Sequence, residues 1–268
     1  MRIALGVEYL GGAYCGYQRQ KHCPSVQENL EQALSSIANE AVELFCAGRT
    51  DTGVHAVGQV VHFDTSVQRP PKAWIQGANT HLPADIRISW MQQMADGNFQ
   101  LDQGFHARFS AVARQYRYVI YNRPVHSAVL AGRVTHQAYP LDADKMHQAA
   151  QSLIGEQDFS SFRAAACQAN HARRNVQKVS VSRSGDFVFI DIQANAFLHH
   201  MVRNIAGSLM EVGKGKRSTV WIAELLALKD RTQAAPTAPA AGLYFVNAIY
   251  PEQWEIPQVS VDEVLWNF

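Results

Sequence analysis

Two successions of strand and helix patterns, one in each half of the chain, constrain the fold more than any other sequence feature. Residues 2–8 alternate as a strand does, and an apolar helix stripe follows from Val26. Ser25 and Glu28 form a capping box that predicts the start of this helix. The other elements predicted in this half are strands near residues 42–46, 58–65 and 86–92 and a short helix after Pro70-Pro71.

The second half repeats this order in outline. A strand is predicted from Val112 to Tyr121, a helix capped by Asp142 follows, and Ser184-Gly185-Asp186 is typical of a hairpin turn. The later predicted elements are helices at 197–212 and 219–228 and a strand at 242–249. These patterns predict an α+β fold of two similar domains, residues 1–104 and 105–268, each with a mixed or largely antiparallel sheet and helices on one face. Two such sheets side by side would form a central basic cleft.

The composition favours a globular protein of a reducing compartment. Of the 268 residues, 47% are apolar, which is ample for a packed core. No apolar run approaches the roughly 18 residues of a membrane span, and the N-terminus lacks the layout of a signal peptide. The four cysteines contain no C-x-x-C pair, so neither a zinc site nor a disulfide framework is indicated. We expect a cytoplasmic protein with no membrane association.

Basic charge is concentrated in two stretches, although the formal net charge is only +1. No Asp or Glu occurs from Gln103 to Leu141 or from Phe159 to Gly185. The first stretch contains Arg108, Arg114, Arg117, Arg123 and Arg133. This distribution favours a polyanion-binding surface. The alternative is that these arginines pair with acids from elsewhere in the chain.

Asp51 is the candidate reactive group. It is the only acid between Glu43 and Asp64, and it lies between Gly48 and Gly53 on a predicted loop after a buried strand. Loops leaving a sheet commonly carry reactive groups, whereas Asp and Gly are also ordinary turn residues.

Arginine and tyrosine alternate on the predicted strand from Val112. Arg114, Tyr116 and Tyr118 share one face, an arrangement that can hold a phosphate while stacking a base. The alternative is a half-buried strand whose tyrosines belong to the core, an interpretation that is stronger for Tyr118 than for Tyr116. Arg203 lies near the apolar face of its predicted helix and needs a partner, for which Asp51 is a candidate.

A metal site is not predicted. His199 and His200 are adjacent on what we predict to be a helix, which is not the i, i+4 spacing of helical zinc ligands. A capping, core or RNA-contact role is favoured for these two and for His55 and His62. A two-metal nuclease would also need several carboxylates, whereas Asp51 has none nearby in sequence.

Several short motifs occur in a specific order between about residues 2 and 250. They are Gly16-x-Gln18-Arg19-Gln20, Ser25-Val26-Gln27, Gly48-Arg49-Thr50-Asp51-x-Gly53-Val54-His55-Ala56, Phe105-His106-Ala107-Arg108-Phe109-Ser110, Ala113-Arg114-x-Tyr116-Arg117-Tyr118, Phe197-x-His199-His200-Met201-Val202-Arg203-Asn204 and Gly242-Leu243-Tyr244. In this combination they resemble the bacterial tRNA pseudouridine synthase A (TruA) family. Tyr17 departs from the family pattern, in which a Trp is common at this position.

The resemblance implies a cofactor-free isomerase, usually a homodimer, that converts uridine to pseudouridine at positions 38, 39 and 40 of the tRNA anticodon stem-loop. Asp51 would be the catalytic nucleophile and Arg203 its ion-pair partner, while Tyr116 would stack on the base and act in proton transfer. The implied substrate-binding residues are Arg49, Tyr116 and Leu243, with Arg19, Arg108 and Arg114 as further RNA contacts. A non-catalytic RNA-binding or RNA-folding module is the alternative.

Overall fold

The computed structural model describes residues 1–94 and 104–260, which form two compact units. Of the described residues, the first contains those of Met1–Val112 and residues 245–260, and the second contains Ala113–Tyr244. Both are built of helices and largely antiparallel sheet, which confirms the predicted α+β class.

The first unit is a sheet in the order β4-β1-β3-β10. Its strands are β1 (Arg2–Tyr9), β3 (His55–Asp64), β4 (Ile86–Met94) and, from Phe245 onward, β10 (Leu243–Ile249), with the short β2 (Phe45–Cys46) paired to β3. Strand β1 is antiparallel to both β3 and β4. Helix α1 (Val26–Ala38) begins as predicted, because the Ser25 hydroxyl accepts a hydrogen bond from the Glu28 N–H at 3.2 Å. A single turn of π-helix (Ala73–Gly77) leads into the short helix α2 (Ala78–His81).

The second unit is a sheet in the order β5-β9-β8-β7 with three helices. Its strands are β5 (Ala113–Tyr121), β7 (Gly155–Asp158), β8 (Arg173–Ser184) and β9 (Phe187–Ala194), and the short β6 (Thr135–His136) runs parallel to β5. The helices are α3 (Ala143–Ala150), α4 (Met201–Gly213) and α5 (Trp221–Leu228). Asp142 caps α3 as predicted, and Gly185, at φ 52°, closes the predicted hairpin.

Helix α4 starts four residues later than its sequence pattern predicts. The His199 carbonyl accepts a hydrogen bond from Ala164 at 3.1 Å, and the Met201 N–H donates to Leu198 at 3.0 Å. His200 adopts left-handed backbone angles at φ 60° and precedes the first helical turn. The prediction that the two adjacent histidines lie on a helix was therefore wrong, since tertiary contacts of this segment displace the helix start.

Cys15 and Cys23 form a disulfide, so the expectation of no disulfide framework was wrong for this pair. The chain between them turns back on itself. The Gln20 Nε2 donates to the Cys15 carbonyl at 2.6 Å, and the backbones of Gln20 and Cys23 form an isolated antiparallel β-bridge. These contacts bring the two Cα atoms to 6.0 Å, which the spacing of the cysteines does not reveal.

The compact units divide the chain differently from the expected boundary at residue 104. Phe105 is fully buried in the first unit, with its ring 5.2 Å from Tyr250 and 5.4 Å from Trp254. The Tyr250 hydroxyl also donates to the Ala107 carbonyl at 2.6 Å. These contacts join residues 105–107 to residues 250–254 within the first unit.

Among the residues that the structure describes, none belongs to a helix long and apolar enough to cross a membrane.

Candidate active site

The loop that carries Asp51 joins β2 to β3 and is fixed by the side chain of Gln59. The Gln59 amide nitrogen donates to the Gly48 carbonyl at 2.6 Å, and its oxygen accepts from the Gly48 N–H at 3.3 Å. Gln59 is fully buried on β3. A buried side chain that satisfies both backbone groups of one residue removes freedom from the start of this loop.

Thr50 anchors the middle of the loop. Its hydroxyl is hydrogen-bonded to the buried Tyr9 hydroxyl at 2.8 Å, and its carbonyl accepts the Tyr17 N–H at 3.1 Å. Just beyond it, the Val54 N–H donates to the Asp51 carbonyl at 3.1 Å, which closes a turn. The partly exposed Asp51 side chain therefore projects from a backbone that is held on both sides.

Two glycines make this close packing possible. Gly16 has φ +97°, and a Cβ there would lie 2.7 Å from the Thr50 carbonyl oxygen. Gly53 follows Asp51 with φ 79°. Left-handed backbone angles favour glycine, so both positions explain glycines of the sequence motifs.

His55 and His62 have core roles. The Nδ1 of His55 accepts the Gly11 N–H at 2.9 Å, and that of His62 accepts the Ala107 N–H at 3.1 Å. Both side chains are buried. Burial, together with the nearby cations, lowers the pKa of His62 from 6.5 to about 3, which keeps its ring neutral and able to accept.

In the second unit, Tyr116 lies on β5 and is only 8% exposed. Its ring meets the edge of Phe197 at 5.0 Å and an angle of 80°. This contact orients the ring of Tyr116. Phe197 was not among the predicted site residues.

Tyr118 is a core residue, which was the favoured of the two predictions for it. Its hydroxyl donates to the Pro239 carbonyl at 2.8 Å and is hydrogen-bonded to Thr135 at 2.5 Å. Burial raises the pKa of Tyr118 well above its ordinary value, while the nearby Arg203 opposes this shift. Tyr118 is thus a packed, neutral support.

Arg203 lies on the first turn of α4 and is tied to the loop before β10. Its Nε donates to the Ala238 carbonyl at 2.8 Å, and the Ala238 N–H donates to the Arg203 carbonyl at 3.2 Å. These two bonds orient the plane of the guanidinium group. Leu243, the first residue of β10, is 5% exposed.

The predicted RNA-contacting arginines have different environments. Arg49 and Arg108 are exposed, and Arg114 is partly exposed and donates to the Asn195 carbonyl at 3.2 Å. Arg19 pairs with the buried Glu31 at 2.6 Å. Burial raises the pKa of the Cys46 thiol to about 12, and the positive charges of Arg49 and Arg108 oppose that shift.

The structure places the site residues on both units. Asp51, Arg49, Arg19 and Arg108 belong to the first, whereas Tyr116, Arg203, Leu243 and Arg114 belong to the second. The pairing of Asp51 with Arg203 stays a prediction. The supporting residues Tyr9 and Gln59 were missed, although a glutamine within the apolar strand pattern from His55 to Phe63 is a signal that could have identified the second of them.

Comparison with known proteins identifies relatives over nearly the whole chain. A family model described as tRNA pseudouridine synthase matches residues 6–103 and 149–251. A protein of Hydrogenovibrio crunogenus is 66% identical over 98% of this chain and 98% of its own length. A protein of Glaesserella parasuis is 57% identical over 99% of both chains, and one of Haemophilus influenzae is 58% identical over 96% of this chain and 93% of its own length. All three relatives are named tRNA pseudouridine synthase A.

Proposed function

Because the chain belongs to the tRNA pseudouridine synthase family, we propose that it isomerises uridine to pseudouridine in tRNA, at positions 38, 39 and 40 of the anticodon stem-loop. The observation that carries this proposal is the placement of Asp51. A single carboxylate projects from a loop whose backbone is held by Gln59, Tyr9 and Tyr17. Such preorganisation is what a reacting group requires.

The reaction rearranges one nucleoside without adding or removing atoms. The bond from N1 to C1′ breaks, the uracil turns, C5 bonds to C1′, and the C5 proton leaves while N1 gains one. No electron is transferred and no group is carried in, so this chemistry requires no cofactor. The ionised carboxylate of Asp51 is the proposed nucleophile, which would attack the sugar or the base.

Tyr116 is proposed to stack on the extruded uracil, because its ring is oriented by Phe197. Leu243 would supply an apolar contact near the base. Tyrosine has an ordinary pKa near 10 and is a weak base at neutral pH, so stacking is its primary proposed role. Turning a paired nucleotide out of the stem costs a few kcal/mol, which stacking on Tyr116 and a phosphate contact from Arg49 would offset.

Arg203 is proposed to form an ion pair with Asp51 that fixes the orientation of the carboxylate. The exposed Arg49 and Arg108, together with Arg19 and Arg114, are proposed to contact the RNA backbone. Arg203→Lys keeps the charge but loses the planar guanidinium, and Arg203→Gln loses both. If the pair forms, both variants lose turnover, and Arg203→Gln loses more of it because it also lacks the positive charge.

Tritium release from tRNA labelled at uridine C5 tests the proposed reaction. Isomerisation must transfer that label to water, and a chelator should not change the rate. We expect Asp51→Ala to lower the release rate at least about 1,000-fold, since the covalent step depends on its carboxylate, while tRNA affinity changes little. Glu43→Ala removes an exposed acid upstream of the same loop and should keep the wild-type rate.

Release by Asp51→Ala at the rate of Glu43→Ala would remove Asp51 from the mechanism. Wild-type protein that binds tRNA without releasing tritium would instead identify a non-catalytic RNA-binding module. We also propose a cytoplasmic homodimer, for which sedimentation velocity should give about twice the mass of one chain.

A further inference from the structure

A row of aromatic side chains reaches the surface beside the Asp51 loop. It consists of Phe45, His62, His106 and Phe109, which we call the aromatic platform. The Phe45 ring lies 5.2 Å from that of His62 at an interplanar angle of 25°, and His62 lies 4.6 Å from His106. Phe109 continues the row at 4.4 Å from His106. The two ends of the row are solvent-accessible, with Phe45 44% and Phe109 75% exposed.

The segment that presents Phe109 is held by hydrogen bonds within the segment itself. The His106 N–H donates to the Ser110 hydroxyl at 2.9 Å, and the Ser110 N–H returns a bond to the His106 carbonyl at 2.9 Å. The Nδ1 of His106 accepts the backbone N–H groups of Arg108 at 3.0 Å and Phe109 at 3.3 Å. An exposed phenyl ring on a turn with this many internal hydrogen bonds is preorganised for binding, because little conformational entropy remains to be lost.

Cationic groups accompany the platform. The guanidinium carbon of Arg108 lies 5.7 Å from the centre of the Phe109 ring. The charges of Arg49 and Arg108 both lower the pKa of the Cys46 thiol against the effect of burial, and Cys46 directly follows Phe45 on β2. No acid occurs between Gln103 and Leu141, the stretch that contains Phe109. Exposed aromatic rings among arginines are the combination that binds single-stranded nucleic acid, where bases stack and phosphates pair with cations.

We propose that the aromatic platform binds an unpaired base of the RNA substrate, other than the target uridine, with Arg108 contacting the adjoining phosphate. This inference rests on the proposed function and adds a second stacking site, since Tyr116 is the residue proposed for the target base. A second copy of the chain would prefer an apolar, charge-poor patch, whereas the platform is bordered by arginines.

Equilibrium binding and turnover of tRNA by Phe109→Ala, Phe45→Ala and the double variant test the platform. Loss of a stacked base should raise the Kd and KM about 10-fold in Phe109→Ala, with kcat at saturating tRNA unchanged. Phe109→Trp should restore affinity, because it keeps a stacking face, and Phe109→Leu should not. Val129→Ala, which truncates an apolar residue that is 83% exposed, is the matched control and should behave as wild type.

The outcomes separate this inference from the proposed function. Wild-type protein that releases no tritium from labelled tRNA would overturn both. Wild-type release together with unchanged Kd and KM in the Phe45→Ala, Phe109→Ala double variant would overturn the platform alone. Dissociation of an oligomer by the double variant, with unchanged tRNA affinity per chain, would make the surface an interface between copies and would also overturn it. Equal rescue by Phe109→Leu and Phe109→Trp would exclude stacking.

Discussion

At the scale of single residues, two buried tyrosines that support the Asp51 loop differ in the hydrogen bonding of their hydroxyl groups. The Tyr9 hydroxyl is bonded to Thr50 at 2.8 Å. The Tyr17 hydroxyl, in a side chain that is 1% exposed, has no hydrogen-bond partner among the described residues, although the Tyr17 backbone supports the same loop. An unsatisfied buried hydroxyl destabilises a protein by about 1–3 kcal/mol.

Replacing each tyrosine by phenylalanine should therefore change stability in opposite directions. Tyr17→Phe removes the unsatisfied hydroxyl and should raise the free energy of unfolding by about 1 kcal/mol. Tyr9→Phe leaves the Thr50 hydroxyl without this partner and should lower that free energy by a similar amount. Urea unfolding measures both, and a Tyr17→Phe variant less stable than wild type would contradict the assignment.

His62 makes stability depend on pH. Its pKa is about 3 in the folded protein and 6.5 as the ordinary value, chiefly because of burial, with Arg2 and His106 lowering it further and Asp64 opposing them. Below pH 6.5 the unfolded chain therefore binds a proton that the folded protein does not, and stability falls as the pH drops toward 3.

The variant His62→Gln has no titrating group at this position, but its side-chain oxygen can still accept the Ala107 N–H. As the pH falls below 6, the wild type should lose free energy of unfolding relative to the variant by up to about 1.4 kcal/mol per pH unit. Urea unfolding at pH 7 and pH 5 measures it. A difference that does not change with pH would show that His62 does not titrate in this way.

At the scale of elements, a glycine in α4 sets how closely this helix approaches the loop before β10. A Cβ at Gly207 would lie 2.2 Å from the Pro236 carbonyl oxygen. One helical turn earlier, Arg203 is bonded to Ala238 in the same loop. The close approach therefore helps to orient the proposed partner of Asp51.

Gly207→Ala should destabilise the protein, although alanine normally favours a helix by about 1 kcal/mol over glycine. The clash is with backbone atoms, so we expect a net loss of about 1–3 kcal/mol and a lower kcat. Gly12→Ala is the control, because no atom lies within 4 Å of a Cβ there, and it should keep the wild-type stability and kcat. Thermal unfolding and tritium release measure them. A stabilised Gly207→Ala variant would mean that the loop moves aside.

At the scale of the whole molecule, ion pairs with acids from elsewhere in the chain neutralise some of the arginines of the acid-free stretches. Arg117, from the first acid-free stretch, forms a bidentate ion pair with Asp191 at 2.7 and 2.9 Å and lies over the Phe189 ring at 4.7 Å. Arg123 from the same stretch pairs with Asp186 at 3.5 Å. The alternative of pairing with distant acids therefore holds for these two arginines, which leaves only part of the basic charge for the proposed RNA contacts.

The affinity for tRNA should fall steeply with salt, because each phosphate contact releases counterions. Arg108→Gln should reduce the slope of log K against log salt by about 1. Lys145→Gln is the control, since Lys145 pairs with Asp142 at 3.0 Å, and should leave the slope unchanged. Fluorescence anisotropy over a series of salt concentrations measures the slope. An affinity independent of salt would exclude electrostatic RNA binding.

The sequence by itself determined the order of most helices and strands, two helix caps, the hairpin at Gly185 and the loop of Asp51. These features are local, since they depend on residue periodicity, capping side chains and backbone angles within a few positions. Tertiary structure decided the start of α4, the Cys15–Cys23 disulfide, the core role of Tyr118 and the ion pairs of Arg117 and Arg123. These depend on contacts between groups that lie far apart along the chain or that only its folded path brings together, and such contacts leave no periodic pattern in the sequence.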